Sequence, residues 1–185
     1  MRGELIVLVE DECHLLWGDV CGRVWGKRNI PIEVPMITER ARQTDYGAIN
    51  VLTRTVHLQE KPGGEGSSTV AYLRWCQSLY PDKKLLVLWD GASYHRGAEM
   101  QAFLAQTNAG LAEADWKVTC LLFAPQAPEQ NPTEDLWHKG KTYLRKQFAV
   151  NKTFAAVKQC FSTFLRTLSF DSKKFSWYWP DPQMI

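Results

Sequence analysis

Lys84-Leu85-Leu86-Val87-Leu88-Trp89-Asp90 is the stretch on which the reading of this 185-residue chain turns. Its apolar run is short, bounded by Pro81-Asp82 and by Gly91, and apolar enough to be a strand covered on both faces. Asp90 then stands at the carboxyl end of that strand. Towards the N-terminus, residues 4–9 form a similar run, E-L-I-V-L-V, ending in Glu10-Asp11-Glu12. Gly18, Gly22 and Gly26 punctuate the next stretch, with Arg23-Val24-Trp25 as a second strand after a tight turn. Residues 48–53 and 55–59 read as further strands, residues 62–68 as a flexible loop, and Ser68 or Thr69 as the cap of a helix to about residue 79. Towards the C-terminus come a helix over 97–106, a strand over 117–123, a loop with two prolines over 124–130, and helices over 132–148 and 152–168. A tail rich in Trp, Tyr and Pro packs as an irregular extension. The pattern predicts one α/β domain over residues 1–185, a mixed central sheet flanked by helices.

With 45% hydrophobic residues and no apolar run near the roughly 20 needed to cross a bilayer, the chain reads as soluble, with no membrane partner. Its five cysteines are odd in number and form no C-x-x-C pair, which excludes a disulfide framework and a cysteine zinc site and points to a reducing, intracellular setting. Eighteen of the twenty acids lie in residues 1–135. Residues 136–170 hold none, while Lys139, Lys141, Arg145, Lys146, Lys152, Lys158 and Arg166 supply seven positive charges. A basic block beside acidic chemistry fits a polyanionic partner, and equally a solvated helix surface.

Three acids sit where such chemistry can be built. Asp11 follows the first strand, Asp90 ends the central one and Glu134 opens a helix. Sites in open α/β sheets form outside the carboxyl ends of strands, so the two Asp meet if their strands are neighbours. Converging carboxylates repel unless cations neutralise them, and oxygen-only ligation suits Mg²⁺, with Mn²⁺ as substitute. Two such ions about 4 Å apart activate water and stabilise the leaving oxygen of a phosphodiester. Each acid has a plainer reading. Asp11 is also a solvated strand end, with Glu10 and Glu12 on the opposite face, and Asp90 also starts an Asx turn ahead of Gly91-Ala92-Ser93. Asn131-Pro132-Thr133-Glu134 is also a capping box, and a Glu folded back onto its cap is not free to hold a metal.

Longer strings add to this. Trp89-Asp90-Gly91-Ala92-Ser93-Tyr94-His95 resembles the D-N-A-x-x-H segment of bacterial insertion-sequence transposases in the Tc/mariner superfamily. Pro125-Gln126-Ala127-Pro128-Glu129-Gln130-Asn131-Pro132-Thr133-Glu134-Asp135-Leu136-Trp137 is similar to that family's P-x-S-P-x-L-N-P-I-E-x-x-W. Val9-Glu10-Asp11-Glu12 resembles its first acidic motif, and Gly22-Arg23-Val24-Trp25-Gly26 with Pro31 its G-R-x-W…P stretch. The resemblance covers about residues 5–148. Gly91, Ala127, Gln130 and Thr133 depart from the usual Asn, Ser, Leu and Ile, and the 43 residues between Asp90 and Glu134 exceed the mariner-like spacing, which leaves the subgroup open.

The resemblance implies an RNase H-like fold and a D-D-E site in which Asp11, Asp90 and Glu134 bind the metal. It implies cleavage of DNA strands and their transfer to a target, double-stranded DNA as partner, a homodimer, and a cytoplasmic, nucleoid-associated setting. Family members carry N-terminal helix-turn-helix domains. Here the catalytic strand begins within ten residues of Met1, so the expectation is a separately encoded DNA-binding half or a truncated copy.

Helical spacing puts His138, Lys141 and Arg145 on the face of Glu134, a ridge able to hold phosphates, with Lys139 and Lys146 beside it. Trp137 stacks on DNA or packs in the core, His95 positions substrate or is structural, and Asn131 supports the site. Gly140-Lys141-Thr142 is no phosphate loop, because Asp135 stands where the motif needs Gly. Ser93 and His95 lie too close in sequence for a triad. Two other functions stay open: an RNase H-like junction resolvase, and an inactive or domesticated DNA-binding remnant.

Overall fold

The computed structural model describes residues 5–22, 25–33, 41–125 and 127–178. Among them the elements run β1 (Leu5–Leu16), β2 (Arg42–Asn50), β3 (Val56–Lys61), α1 (Gly66–Leu79), β4 (Lys84–Trp89), α2 (Ala98–Thr107), β5 (Val118–Leu122), α3 (Pro132–Lys146) and α4 (Phe154–Thr167). The strands form one mixed sheet in the order β3-β2-β1-β4-β5. β1, β2 and β3 are antiparallel neighbours, while β4 lies parallel to β1 and β5 parallel to β4. Parallel neighbours need long crossovers, and α1 and α2 lie in those connections.

Strand alternation divides the core between the two faces. Val9, Cys13 and Leu15 of β1 pack against Leu136, Trp137, Val157 and Phe161 of α3 and α4. Leu8, with Leu85, Val87 and Trp89 of β4, packs against Tyr72 and Leu73 of α1 and Met100 of α2. The sheet is thus covered on both sides, as the apolar run of β4 requires. No helix among the described residues is long and apolar enough to cross a membrane. None of the five cysteines is joined in a disulfide.

Several boundaries differ from the expectation; the strand expected over 48–53 runs instead over Arg42–Asn50, where it pairs with β1. β1 does not stop at Val9 but continues to Leu16, because β2 pairs with it as far as Leu16↔Arg42. Asp11 therefore lies within the strand. α1 begins at Gly66 rather than behind a Ser68 or Thr69 cap. The Thr69 hydroxyl instead donates to the Glu65 carbonyl oxygen at 3.0 Å, inside the first turn. Of the expected strand Arg23-Val24-Trp25, residues 23 and 24 lie outside the described residues, and Trp25 is irregular and fully exposed. Gly140 serves packing, not phosphate: a Cβ there would lie 2.5 Å from the Phe161 ring of α4.

Asp45 of β2 is an acid the fold buries without a site. Burial, then the charge of Glu60, pushes its carboxyl up to about 7, against the pull of Lys158 and Arg166. Its Oδ2 has no hydrogen-bond partner. Between its ordinary value and about 7 the folded chain keeps a proton that the unfolded chain has released. Stability therefore falls as pH rises from about 4 to about 7 and stays lowered above that. Asp45→Asn is expected to raise stability at pH 8 by about 1–2 kcal/mol and to flatten its pH dependence, read by urea unfolding at several pH values. A variant less stable than the parent at pH 8 contradicts this.

Candidate active site

Sheet register sets the first two acids together. Val9 of β1 pairs with Leu88 of β4. Asp11 and Asp90 each lie two residues past that rung, and alternation turns both towards the face that Val9 and Leu88 share with α3 and α4. Asp11 is within hydrogen bonds at both oxygens. Oδ1 accepts from the Glu12 N–H at 2.9 Å and Oδ2 from Asn131 Nδ2 at 3.1 Å. Asp90 Oδ1 accepts from the Ala92 N–H at 2.8 Å, so the Asx turn forms. The Asp90 side chain nevertheless stays 55% exposed and lines an open hollow of about 520 Å³.

The start of α3 brings in the third acid. Asn131 Oδ1 accepts from the Thr133 N–H at 3.0 Å, and Pro132 takes the first helical position, where no N–H is needed. The Thr133 hydroxyl donates to the Val9 carbonyl oxygen at 3.1 Å and pins the helix end onto β1. The Asn131 N–H is already given to the Pro128 carbonyl oxygen at 3.1 Å, so Glu134 does not fold back to close a capping box. Glu134 is 48% exposed and lines the same hollow as Asp90 and Asn131. Asn131 thus joins the acids: it caps the helix of Glu134, donates to Asp11 and floors the hollow.

Burial, then the charge of Glu12, pushes the Asp11 carboxyl up to about 7, with Asp90 adding to the rise and Asn131 opposing it. Asp90 and Glu134 line the hollow, and Asp11, already costly to ionise, is tied to it through its hydrogen bond from Asn131; oxygen-only donors of this kind suit a hard divalent cation.

His95, a supporting residue in the sequence reading, is buried and stacks on Trp89 at 4.1 Å. Its Nδ1 lies 3.1 Å from the Asp90 carbonyl oxygen, and its Nε2 turns to the other sheet face, 3.3 Å from Glu12 Oε1. It therefore holds the Asp90 turn. Trp137 takes the packing role: it is buried and stacks on Phe161 at 6.2 Å.

The basic ridge is only partly free. Lys141 donates to the His14 carbonyl oxygen and pairs with Asp19, both at 3.3 Å. Arg145 donates to the Cys21 carbonyl oxygen at 3.2 Å, and Lys139 to that of Asp171 at 2.9 Å. His138 and Lys146 are exposed. Two cations escaped the sequence reading. Arg96 lines the hollow and donates to the Gly91 carbonyl oxygen at 3.1 Å. Lys174, in a 3-10 turn over Lys173–Trp177, donates to the carbonyl oxygens of Pro128 and Asn131 at 3.0 Å and lies 3.6 Å from Glu134 Oε2. It follows Glu134 by 40 residues with no motif around it, so only the fold reveals it.

A family model described as a DDE superfamily endonuclease matches residues 7–155. Among curated proteins no sequence matches. Among solved structures, a chain of the simian T-cell lymphotropic virus intasome in complex with PP2A regulatory subunit B56 gamma is similar at 12% identity and a TM-score of 0.60, covering 98% of this chain and 58% of that one. The Mos1 strand transfer complex gives 14% identity and 0.58, covering 94% and 49%. The catalytic core domain of BIV integrase gives 11% and 0.51, covering 89% and 86%. The chain thus spans about half the length of the first two. At such identities these likenesses establish the fold: the mixed five-stranded sheet with its four helices is that of RNase H-like integrase and transposase catalytic cores.

Proposed function

The chain belongs to the DDE superfamily of endonucleases, and from that premise we propose that it is the catalytic domain of a cut-and-paste DNA transposase, with Asp11, Asp90 and Glu134 as its metal-binding carboxylates. The observation that carries this reading is the shared hollow. Asp90, just past the end of β4, and Glu134, at a capped helix start, line it, and Asp11, level with Asp90 on the parallel neighbour β1, joins them through its hydrogen bond from Asn131. Bound there, Mg²⁺, or Mn²⁺ in its place, supplies a nucleophile at neutral pH and charge neutralisation for phosphodiester cleavage. The protein's own part is to hold the carboxylates with little room to move. Thr133 fixes the start of α3, Asn131 orients Asp11, and His95 with the Ala92 N–H orients Asp90.

Double-stranded DNA is the substrate of this reading, both as transposon end and as target. Arg96 at the hollow and His138 and Lys146 on α3 present positive or protonatable groups for its phosphates, with Lys141 and Arg145 charging the face of Glu134 and Lys139 lying beside it. A bacterial source, a homodimeric active complex, a separately encoded DNA-binding half and action on nucleoid DNA in the cytoplasm belong to the same proposal.

The test is nicking of supercoiled plasmid in Mn²⁺ by the chain and by Glu134→Gln. Gln keeps the side chain's size and one ligating oxygen, so the fold is expected to survive and nicking to fall by about 10–100-fold. Equal nicking by the two proteins removes Glu134 from the site.

A further inference from the structure

Behind the hollow, on the α1/α2 face of the sheet, lies a second group of donors that the cleavage chemistry does not use. Glu10 and Glu12 alternate with Asp11 along β1 and so face away from it. Glu10 is 0% exposed, and neither of its carboxylate oxygens meets a hydrogen-bond donor. Its Oε2 lies 3.8 Å from His95 Nε2, and Glu12 Oε1 lies 3.3 Å from the same nitrogen. One ligand atom from each of the three residues falls within 4.8 Å of the others.

The orientation of His95 makes this arrangement informative. Nδ1 faces two acceptors of Asp90, the carbonyl oxygen at 3.1 Å and Oδ1 at 3.3 Å, so Nδ1 carries a hydrogen. Nε2 then meets two carboxylates, and the Glu10 oxygens, 0% exposed, face it with no hydrogen-bond donor of their own. A divalent cation satisfies all three donors at once. A histidine that gives its other N–H to a carbonyl or carboxylate is also the usual outer support of a metal-ligating imidazole. One nitrogen with two oxygens suits zinc, whereas Mg²⁺ takes oxygen ligands.

We propose that Glu10, Glu12 and His95 form a buried site for one zinc-class divalent cation, on the sheet face opposite the D-D-E hollow and distinct from it. His95 would be its ligand through Nε2 and hold the Asp90 turn through Nδ1, so filling this site stiffens a strand end that the other site depends on. The inference does not rest on transposase activity, because it concerns binding alone.

The experiment is Zn²⁺ binding to the full chain by competition with a chromophoric zinc chelator, without DNA, on the parent, on Asp11→Asn/Glu134→Gln, and on Glu10→Gln and Glu12→Gln. About one Zn²⁺ per chain is expected in the parent and in the double variant, with affinity falling at least about tenfold in Glu10→Gln and Glu12→Gln. Zinc lost from the double variant, or held equally by Glu10→Gln, overturns the proposal. Should the Glu10 and Glu12 variants fail to fold, Co²⁺ added to Asp11→Asn/Glu134→Gln decides the matter. Strong visible absorption from a low-coordinate site supports it, and a weak six-coordinate spectrum or none refutes it. Plasmid nicking is read separately, so failure of zinc binding leaves the D-D-E assignment untouched, and failure of nicking leaves the zinc result intact.

Discussion

Replacing Asp11 by Asn is expected to lower metal-dependent nicking by on the order of 10³-fold and, in the same protein, to raise the stability of the metal-free chain at pH 8 by about 2 kcal/mol. Both effects have one cause. The carboxyl is pushed up to about 7 by burial and by Glu12, so above that pH the folded chain carries a charge it disfavours. The unfolded chain ionises the same group near its ordinary value, and stability is lost as pH rises from about 4 to about 7. Asn removes that loss, and its amide can turn to keep a contact with Asn131. With a cation bound, the sign reverses: the carboxylate becomes the favoured form, and removing it costs affinity and rate. The measurement is urea unfolding at pH 5 and pH 8 in EDTA, beside nicking in Mn²⁺. A variant that loses stability at pH 8 would show Asp11 to be a structural acid. Asp45→Asn is the control, because it relieves a buried carboxylate of similar character and should leave nicking unchanged.

Much of the sheet was legible in the chain, for reasons that also explain what was not. The run of β4 announces burial on both faces, and the N-P-T-E string marks a helix start, so the chain itself puts Asp90 just past a strand end and Glu134 in the first turn of a helix. The end of β1 was not legible. Glu10-Asp11-Glu12 reads as a polar exit from a strand, but the partner β2 carries the ladder on to Leu16, and Cys13 and Leu15 continue the inward alternation of Val9. Helical spacing puts His138, Lys141 and Arg145 on one face of α3. It could not say that the arm of β1 and the 3-10 turn Trp17–Val20 lies against that face and occupies Lys141 and Arg145. Periodicity describes an element by itself; what lies against it is decided by tertiary packing. The same limit hid the neighbours of His95. Alternation placed Glu10 and Glu12 away from Asp11, yet only the fold brings a residue 83 positions from Glu12 against both of them.

Gly47→Ala is expected to destabilise the chain by about 3 kcal/mol, although it adds a single methyl to a strand. Gly47 pairs with Asp11 across the β1–β2 ladder, and its bare Cα is where the indole of Trp137 comes to rest. A Cβ there would lie 2.4 Å from Trp137 Cη2 and 2.7 Å from Cζ2. The ring cannot give way. It is buried, and it stacks on Phe161 of α4 on its far side. Relief must come from lifting α3, three residues after Glu134 in the same helix. That movement strains the hydrogen bonds from Thr133 to Val9 and from Asn131 to Asp11, so nicking should fall together with stability. A smaller partner restores the room. Trp137→Leu alone costs stability by leaving a cavity, but Gly47→Ala with Trp137→Leu should cost at least about 1 kcal/mol less than the two single changes added together. Strict additivity in that double-mutant cycle would mean the indole does not seat on Gly47, and the position of Glu134 would then have to be fixed by the start of α3 alone.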